Sequence, residues 1–530
     1  MTAPTMHDLL QRDAEVRPSR DVAQPAAGRA GPPPLSWAWL VAGTALTAAV
    51  GFQTPVPVAA WLAPVFLLRF VRSTRLMISL PALAVANAAA LFVAMRNGFF
   101  PGGTDAGFVA FVATVSVIGT LPFLADRLMV PRLAALAGTL VYPTAATALE
   151  WLGTLGNPYG TAGSVAYSQS ADLPLLQLVS VTGIWGVTFL VSWLAPVINL
   201  VWERRGRTRP AVALFVCALL VVLLTGGVRT AFLTPQDPTV MVAALAPAGP
   251  LSQRLAVSSL PRTGTAAERA NTRATLLEPI LDELLHRTRR AAAGGAKIVT
   301  WSEAAVYVFP EDLPSVLQRA SAVADEEQLY LQIGLIVLLP NRDVPYTENR
   351  AILFDPAGMQ VWDYAKSRPT PGDGQLPGPG VLPMVDTPYG RLTTVICQDD
   401  FFPGLLRQAG RAGADIVLVP SSDWPAIAAW HGQLDPVRAV ENGVSVVRAT
   451  RWGISLAADR HGRLLARKPD SGPDHTMFAA VPTDGRPTVY TAIGDLVAYL
   501  STATLLALLV LAVRSRPIGV APITHEGYDR

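Results

Sequence analysis

Apolar residues are concentrated in eight long segments of this chain, seven ahead of a long polar stretch and one behind it. A helix crosses the hydrocarbon core of a bilayer, about 30 Å thick, with about 17 to 25 mostly apolar residues. The pattern therefore predicts a bundle of about eight transmembrane helices, with a polar domain inserted before the last one. The segments lie at about 36–52, 55–71, 76–95, 107–125, 131–151, 176–201, 211–227 and 495–513.

The polar insert, residues 228–494, alternates short β-rich runs with helical stretches, which is typical of an α/β domain. The clearest helix covers about 265–293, stops at Gly294, and contains Pro279, which predicts a kink or break. An insert of this length can bury a core without disulfides. The β-rich runs are Thr239–Leu245, Lys297–Trp301, Leu329–Leu338, Ala351–Phe354, Leu392–Ile396, Asp415–Val419 and Val444–Ala449.

Composition supports a membrane protein, because only 15% of the residues are charged and the mean hydropathy is +0.36, whereas soluble proteins average about 25% charged residues. A net charge of +3, without a basic stripe, argues against nucleic acid as a partner. The two cysteines, Cys217 and Cys397, cannot form a disulfide framework. The six histidines show no ligand spacing and no nucleotide-binding motif is present, so we expect neither a metal nor a cofactor.

The arginines predict the orientation, because basic residues collect on the cytoplasmic side of membrane proteins. With a cytoplasmic N-terminus, sixteen arginines lie in inside segments and only Arg96 lies in a short outside loop. We therefore expect a multi-pass protein of the cell (inner or plasma) membrane, with the insert on the extracytoplasmic side. Its predicted parts are a disordered cytoplasmic tail (1–35), a seven-helix transmembrane domain (36–227), the α/β domain (228–494), a last transmembrane helix (495–513) and a cytoplasmic tail (514–530).

Three residues at the ends of β-rich runs could carry chemistry. Cys397 precedes a turn whose backbone N–H groups could bind an oxyanion, which is the position that a nucleophile needs. The alternative is that this lone cysteine is only a buried thiol. Lys366 is one of three lysines against 39 arginines, which suggests a need for a compact ammonium; the alternative is a solvated surface lysine. Glu303 could transfer a proton or cap a following helix.

The order Glu303, Lys366, Cys397 resembles the nitrilase (carbon–nitrogen hydrolase) superfamily, whose Glu–Lys–Cys triad lies at strand ends of an αββα sandwich. The resemblance implies that Cys397 is the nucleophile, that Lys366 stabilises the oxyanion and that Glu303 accepts the proton. Three further segments are similar to that superfamily: 413–423 (GADIVLVPSSD), 438–450 (RAVENGVSVVRAT) and 459–463 (DRHGR).

The membrane arrangement narrows the resemblance to the apolipoprotein N-acyltransferase family, and it covers nearly all of residues 36–513. It implies that an acyl chain passes from a membrane phospholipid to Cys397, as a thioester, and then to the N-terminal amine of a diacylglyceryl-cysteine on an apolipoprotein. A membrane-tethered amidase and an inactive, binding-only relative remain open as alternatives. The segments similar to the family's outer loop and next helix are 156–159 (GNPY), 165–169 (VAYSQ), 173–175 (LPL) and 182–187 (TGIWGV).

The sequence departs from the family pattern at three places. The family's Cys-Tyr-Glu is Cys397-Gln398-Asp399 here, and the proline before the triad glutamate is Ser302. The family's Phe-Gly-Glu element after the lysine is replaced by 371–375 (PGDGQ). The second essential carboxylate therefore has no clean match, and we expect Asp373 or Asp399 to replace it with a shorter reach.

Overall fold

The computed structural model describes residues 34–51, 56–95, 106–203, 208–232, 238–249, 265–339, 344–470 and 475–515. The two predicted tails lie outside these ranges except for residues 34, 35, 514 and 515.

Each predicted apolar segment corresponds to one or two helices. Five helices in the described ranges are long and apolar enough to cross a membrane: Leu76–Met95, Ala106–Arg132, Ile184–Trp202, Arg209–Phe232 and Leu496–Arg514. The second of these consists of Ala106–Ile118, Leu121–Met129 and a 3₁₀ turn. The count of eight spans stays a prediction, because the other three segments form shorter helices of 16, 17 and 18 residues: Pro34–Ala49, Pro57–Ser73 and Ala135–Leu152.

The sixth segment begins later than its pattern predicts. The sequence predicts a span at 176–201, whereas the long helix is Ile184–Trp202 and two four-residue helices lie between residues 173 and 182. Gly183 causes the break, since its φ is 63° and a Cβ there would lie 2.6 Å from the ring of Tyr490. Only glycine adopts this conformation in so little space, and an apolar pattern does not reveal it.

The described residues contain thirteen strands, which form two sheets. The strands are β1 Thr239–Leu245, β2 Ile298–Trp301, β3 Val306–Val308, β4 Tyr330–Leu338, β5 Thr347–Phe354, β6 Gln360–Ala365, β7 Met384–Thr387, β8 Gly390–Thr394, β9 Ile416–Ser422, β10 Ser445–Arg451, β11 Ile454–Ala458, β12 Leu464–Pro469 and β13 Thr476–Pro482. One sheet has the order β13–β1–β2–β4–β5–β6, with β3 beside β4, and the other has the order β12–β11–β10–β9–β8–β7. Strands β1, β2 and β4 are mutually parallel, as are β8, β9 and β10.

The sheets pack face to face between helices, which gives the predicted αββα arrangement. Buried side chains of both sheets, including Val242 of β1 and Val446 of β10, share one core. Two helices, Glu278–Ala293 and Leu313–Glu326, cover the outer face of the first sheet. The second sheet carries two others, Pro403–Arg411 and Leu434–Asn442.

The helix predicted at 265–293 is broken before its proline. Ala266–Thr272 is followed by a π-helical turn, Arg273–Leu277, and Pro279 then lies in the first turn of Glu278–Ala293. Proline fits the first turn of a helix because the N–H there needs no partner within the helix.

The α/β domain is seated directly on the helical part of the chain. Leu434, Val437 and Val440, on the helix Leu434–Asn442, pack in one buried cluster with Tyr167 and Leu176. The last two belong to the segment between the helices that end at Leu152 and begin at Ile184. The contact holds this segment against the helix that covers the second sheet, and Phe401, in the turn that begins at the predicted nucleophile Cys397, packs in the same cluster.

Candidate active site

Lys366 and Glu303 lie in direct contact. Glu303 follows β2 by two residues, and Lys366 follows β6 directly. The Lys366 Nζ donates to Glu303 Oε1 over 2.7 Å, and the two residues are only 1% and 5% exposed. Lys366 is therefore not a surface lysine. Glu303 does not cap a helix either, because β3 follows it.

The turn that carries Glu303 is fixed to both sheets. Ala305 N donates to Gly334 O in β4 over 3.1 Å, and Glu303 N donates to Ser421 O in β9 over 3.2 Å. A Cβ at Gly334 would lie 2.1 Å from Ser302 O. Glycine is needed at this position because the two backbones approach so closely.

Cys397 begins the turn Cys397–Phe401 after β8, with a φ of 47°. This left-handed conformation costs a residue other than glycine roughly 1–2 kcal/mol, and strain of this kind is typical of functional positions. The Cys397 Sγ lies 3.8 Å from Ser422 O. Burial and the Glu303 carboxylate raise the pKa of the thiol well above its usual value, although Lys366 acts to lower it. Cys397 is thus a thiol at neutral pH, and a base has to remove its proton as it attacks.

Lys366 remains an ammonium despite its burial. Desolvation alone lowers its pKa, but Glu303 and the nearby Cys397 outweigh that effect and raise it. A charged donor inside a nearly dry site can stabilise an oxyanion more strongly than it could in water.

Two amides that the sequence analysis missed complete the surroundings of Glu303. In β5, Asn349 Nδ2 donates to Glu303 Oε1 over 2.7 Å and lies 3.2 Å from Gln375 Oε1. The same residue accepts from Lys366 N through its backbone oxygen, over 2.9 Å. Of the replacement loop 371–375, Gln375 thus reaches the site through Asn349, and Asp373, an exposed residue, lies 3.4 Å from Gln375 Nε2. Desolvation and the Glu303 charge raise the pKa of Asp373, although Lys366 acts to lower it, so this carboxylate lies within the electrostatic reach of the site. A role for Asp373 stays a prediction.

Asp399 holds main chain in place rather than facing Glu303. Its buried carboxylate accepts from Ile396 N over 3.1 Å, from Tyr364 Oη over 2.8 Å and from Arg368 N over 2.7 Å. These bonds tie the turn of Cys397 to the segment that follows Lys366. Burial raises the pKa of Asp399 to about 6, although Lys366 and these donors act to lower it.

A buried charge cluster lies next to Cys397. His431 Nδ1 is 2.7 Å from Asp423 Oδ1, and His431 Nε2 is 3.2 Å from Asp400 Oδ1. Burial and Arg448 act to lower the pKa of His431, but the two carboxylates outweigh them and raise it to about 9. Arg448 donates to Asp423 over 2.9 Å and to Asp400 over 3.2 Å. The sequence analysis found no role for His431, whose partners are distant in the chain.

The residues of this cluster also bear on metal binding. Side-chain ligand atoms of Cys397, Asp423 and His431 all lie within 4.8 Å of one another. A guanidinium nitrogen of Arg448, however, lies 2.7 Å from His431 Nδ1 and bonds Asp423. A metal ion there would have to displace this cation, so the donor set does not fit a metal well.

Comparison with known proteins shows which families this chain is similar to. The carbon-nitrogen hydrolase family profile matches residues 263–488, which contain Glu303, Lys366 and Cys397. An apolipoprotein N-acyltransferase of Bradyrhizobium diazoefficiens is 27% identical over 460 residues, 77% of this chain and 78% of that protein. One of Geobacter metallireducens is 24% identical over 395 residues, 67% of this chain and 70% of that protein. Both alignments are longer than the hydrolase segment and so include part of the helical region. The chain is thus similar to apolipoprotein N-acyltransferases over about two thirds to three quarters of its length.

Relatives outside the N-acyltransferase family match less of the chain. A deaminated glutathione amidase of Yersinia enterocolitica is 26% identical over 177 residues, 29% of this chain and 62% of that protein. Among solved structures, an amidase of Nesterenkonia sp. is 20% identical with a TM-score of 0.37, covering 48% of this chain and 94% of that one.

The turn that begins at Cys397 is hydrogen-bonded to the helical part of the chain. Gln398 Nε2 donates to Pro158 O over 2.7 Å, and Thr161 Oγ1 donates to Phe401 O over 2.6 Å. Arg438 donates to Thr161 Oγ1 over 2.9 Å and to the main chain of the turn over 2.8 Å. Gln398, a departure from the family pattern, is therefore used to anchor the turn to the outer loop.

Proposed function

We propose that this protein transfers a fatty acyl chain from a membrane phospholipid to the N-terminal amine of a diacylglyceryl-cysteine on an apolipoprotein, through a thioester on Cys397. The observation that carries the proposal is the buried ion pair of Lys366 and Glu303 near Cys397. The turn that begins at Cys397 is also hydrogen-bonded to the helical part of the chain. The catalytic domain would lie on the extracytoplasmic side of the cell membrane.

The first step is acylation of Cys397. Glu303 takes the thiol proton as Sγ attacks the ester carbonyl, because the raised pKa of the thiol leaves little thiolate beforehand. Lys366 and a backbone N–H near Cys397 stabilise the oxyanion. The ester C–O bond then breaks, the lysophospholipid oxygen receives the proton from Glu303, and the thioester remains.

The second step returns the enzyme to its starting state. The α-amino group of the acceptor attacks the thioester carbonyl and gives a proton to Glu303. The C–S bond breaks, the Cys397 sulfur is protonated again, and the acceptor leaves as an amide. Two substrates that react in turn at one nucleophile predict ping-pong kinetics.

Membrane helices suit this reaction because both substrates carry acyl chains. Each CH₂ that moves from lipid into water costs about 0.8 kcal/mol, so extracting a chain of about 16 carbons costs roughly 10 kcal/mol. A site held at the bilayer surface avoids this cost. The low exposure of Glu303, Lys366 and Cys397 also keeps water from the thioester, although the chain beside them has to open for a lipid ester to enter.

The deciding experiment follows acyl transfer by mass. The full chain in detergent is incubated with phospholipid and a synthetic diacylated lipopeptide, and the lipopeptide is expected to gain one acyl group. Cys397→Ala should abolish the gain, whereas Cys217→Ala, at the other and exposed cysteine, should leave it intact. Hydrolysis of amides without acyl gain would favour the amidase alternative. No reaction with either substrate class would favour the binding-only relative.

A further inference from the structure

An unusual set of basic side chains lies where the turn 459–463 of the α/β domain meets the end of the membrane helix Arg209–Phe232. Arg463, in the turn, donates a hydrogen bond to Thr230 O on that helix. Arg229, one residue before Thr230, donates to the hydroxyl of Ser180, and its guanidinium is close enough to that of Arg460 in the turn for the two charges to repel. The junction therefore brings guanidinium groups of both parts of the protein together at one end of a candidate membrane span.

His461 lies inside this set without a partner for its ring. It is 2% exposed, and neither ring nitrogen has a hydrogen-bond partner within the described part of the chain. Its backbone oxygen accepts from Gln177 Nε2 over 3.0 Å, which fixes the turn against the segment before Ile184. Burial, and then the charges of Arg229, Arg460, Arg463 and Arg486, lower the pKa of His461 to about 4. The ring is thus neutral at pH 7 and holds one buried N–H donor, for which the described residues provide no acceptor.

The arginines outnumber the carboxylates that face them. Arg460 Nη2 lies 2.7 Å from Asp484 Oδ2, and Arg463 lies 3.9 Å from Asp459. Arg229 instead donates to the hydroxyl of Ser180. Among the described residues, the charges of four arginines act on His461, whereas two carboxylates, Asp484 and Asp459, are paired with these arginines. Arg460 Nε is also buried and has no acceptor in the described part of the chain.

Buried N–H donors without acceptors are costly, and like charges held together repel. An anion with several oxygens would accept hydrogen bonds from the unsatisfied N–H donors and would also offset the repulsion between the arginines. Arginine binds phosphate in this way, through charge-assisted hydrogen bonds. The end of a membrane helix lies at the level of the lipid headgroups. We propose that Arg229, Arg460 and His461 bind the phosphate of a bilayer lipid headgroup. This site is separate from Cys397 and does not rest on the proposed acyl transfer.

Thermal unfolding of the full chain in an uncharged detergent tests the site, because a ligand that binds only the folded protein raises its transition temperature. The probes are phosphatidylglycerol, diacylglycerol of the same chains, and inorganic phosphate. Phosphatidylglycerol should stabilise the wild type and Arg209→Gln equally, Arg209 being the exposed arginine at the other end of the same helix. In Arg229→Gln its apparent affinity should fall about tenfold, the loss expected for one charge-assisted hydrogen bond.

Three results would overturn the proposal: equal affinity in Arg229→Gln and the wild type, equal stabilisation by diacylglycerol, or full stabilisation by inorganic phosphate at the lipid's concentration. The last result would assign the site to a free anion. If Arg229→Gln does not fold, competition in the wild type replaces it, and sulfate that fails to displace phosphatidylglycerol refutes the site. Cys397→Ala should bind phosphatidylglycerol normally, so failure of the acyl-transfer proposal would leave this result unchanged.

Discussion

Deleting the ammonium of Lys366 tests whether the buried ion pair is the electrostatic centre of the site. In Lys366→Met, Glu303 keeps its buried position but loses the cation 2.7 Å away, and the Asn349 amide remains as its described donor. Removing one partner of a buried ion pair costs about 3–5 kcal/mol, because the other charge stays buried and unpaired. The double variant Glu303→Gln with Lys366→Met replaces the buried carboxylate with a neutral amide, so no unpaired charge remains buried. This double variant should therefore recover most of the stability that Lys366→Met loses.

An exposed ion pair provides the matched control. Arg289 Nη2 lies 2.7 Å from Glu326 Oε2, the same distance as in the buried pair, but the two side chains are 44% and 53% exposed. Water screens such a pair, so Arg289→Met is expected to cost no more than about 1 kcal/mol. The two variants delete one cation each and differ mainly in burial.

Differential scanning fluorimetry of the full chain in detergent measures the difference. One kcal/mol shifts the transition of a domain of this size by about 2–4 °C, so Lys366→Met should lower it by about 6–20 °C and Arg289→Met by at most about 4 °C. Lys366→Met and the double variant should both lack acyl transfer. A decrease in Lys366→Met no larger than in Arg289→Met would refute the reasoning, as would a double variant no more stable than the single one.

Three further predictions concern side chains around the site. Because the pKa of Asp399 is raised by burial to about 6, the folded protein binds this proton more tightly than the unfolded chain does. Stability should therefore fall as pH rises from about 4 to about 6, and Asp399→Asn should remove this decline in transition temperature against pH. Ser302→Ala should keep or slightly raise the transition temperature, since this hydroxyl is buried and has no partner among the described residues; a clear decrease would contradict that. His431→Phe removes the donors that face Asp423 and Asp400 and should cost about 1–3 kcal/mol, and an unchanged transition would show that Arg448 alone suffices.

Local patterns in the sequence predict much of this fold. The β-rich runs of the insert all overlap strands, because a buried strand of a parallel sheet is mostly apolar, as in β4, which is buried at every position. The sequence pattern does not predict strands such as β7 and β12, because they lie at sheet edges and carry exposed polar side chains. The break in the helix near Pro279 and the positions of Glu303, Lys366 and Cys397 after strands can also be predicted from the local sequence.

The contacts that complete the site could not be predicted in this way. Asn349 reads as an ordinary polar residue in a strand, and only the pairing of β4, β5 and β6 brings it between Glu303 and Gln375. His431 meets Asp400 across 31 residues of chain. Such contacts depend on how sheets and turns come together, for which a single sequence has no periodic signal.

The position of the nucleophile follows from the way the two parts of the chain are joined. A strained turn keeps its conformation only if its surroundings hold it, and here the turn of Cys397 is held from two directions. Asp399 binds it to the segment after Lys366, inside the α/β domain, while Gln398 and Thr161 bind it to the outer loop of the helical part. The bonds of Gln398 and Thr161 make the geometry of the nucleophile depend on the membrane helices. An enzyme needs this dependence if its thiol is to meet an ester that never leaves the bilayer.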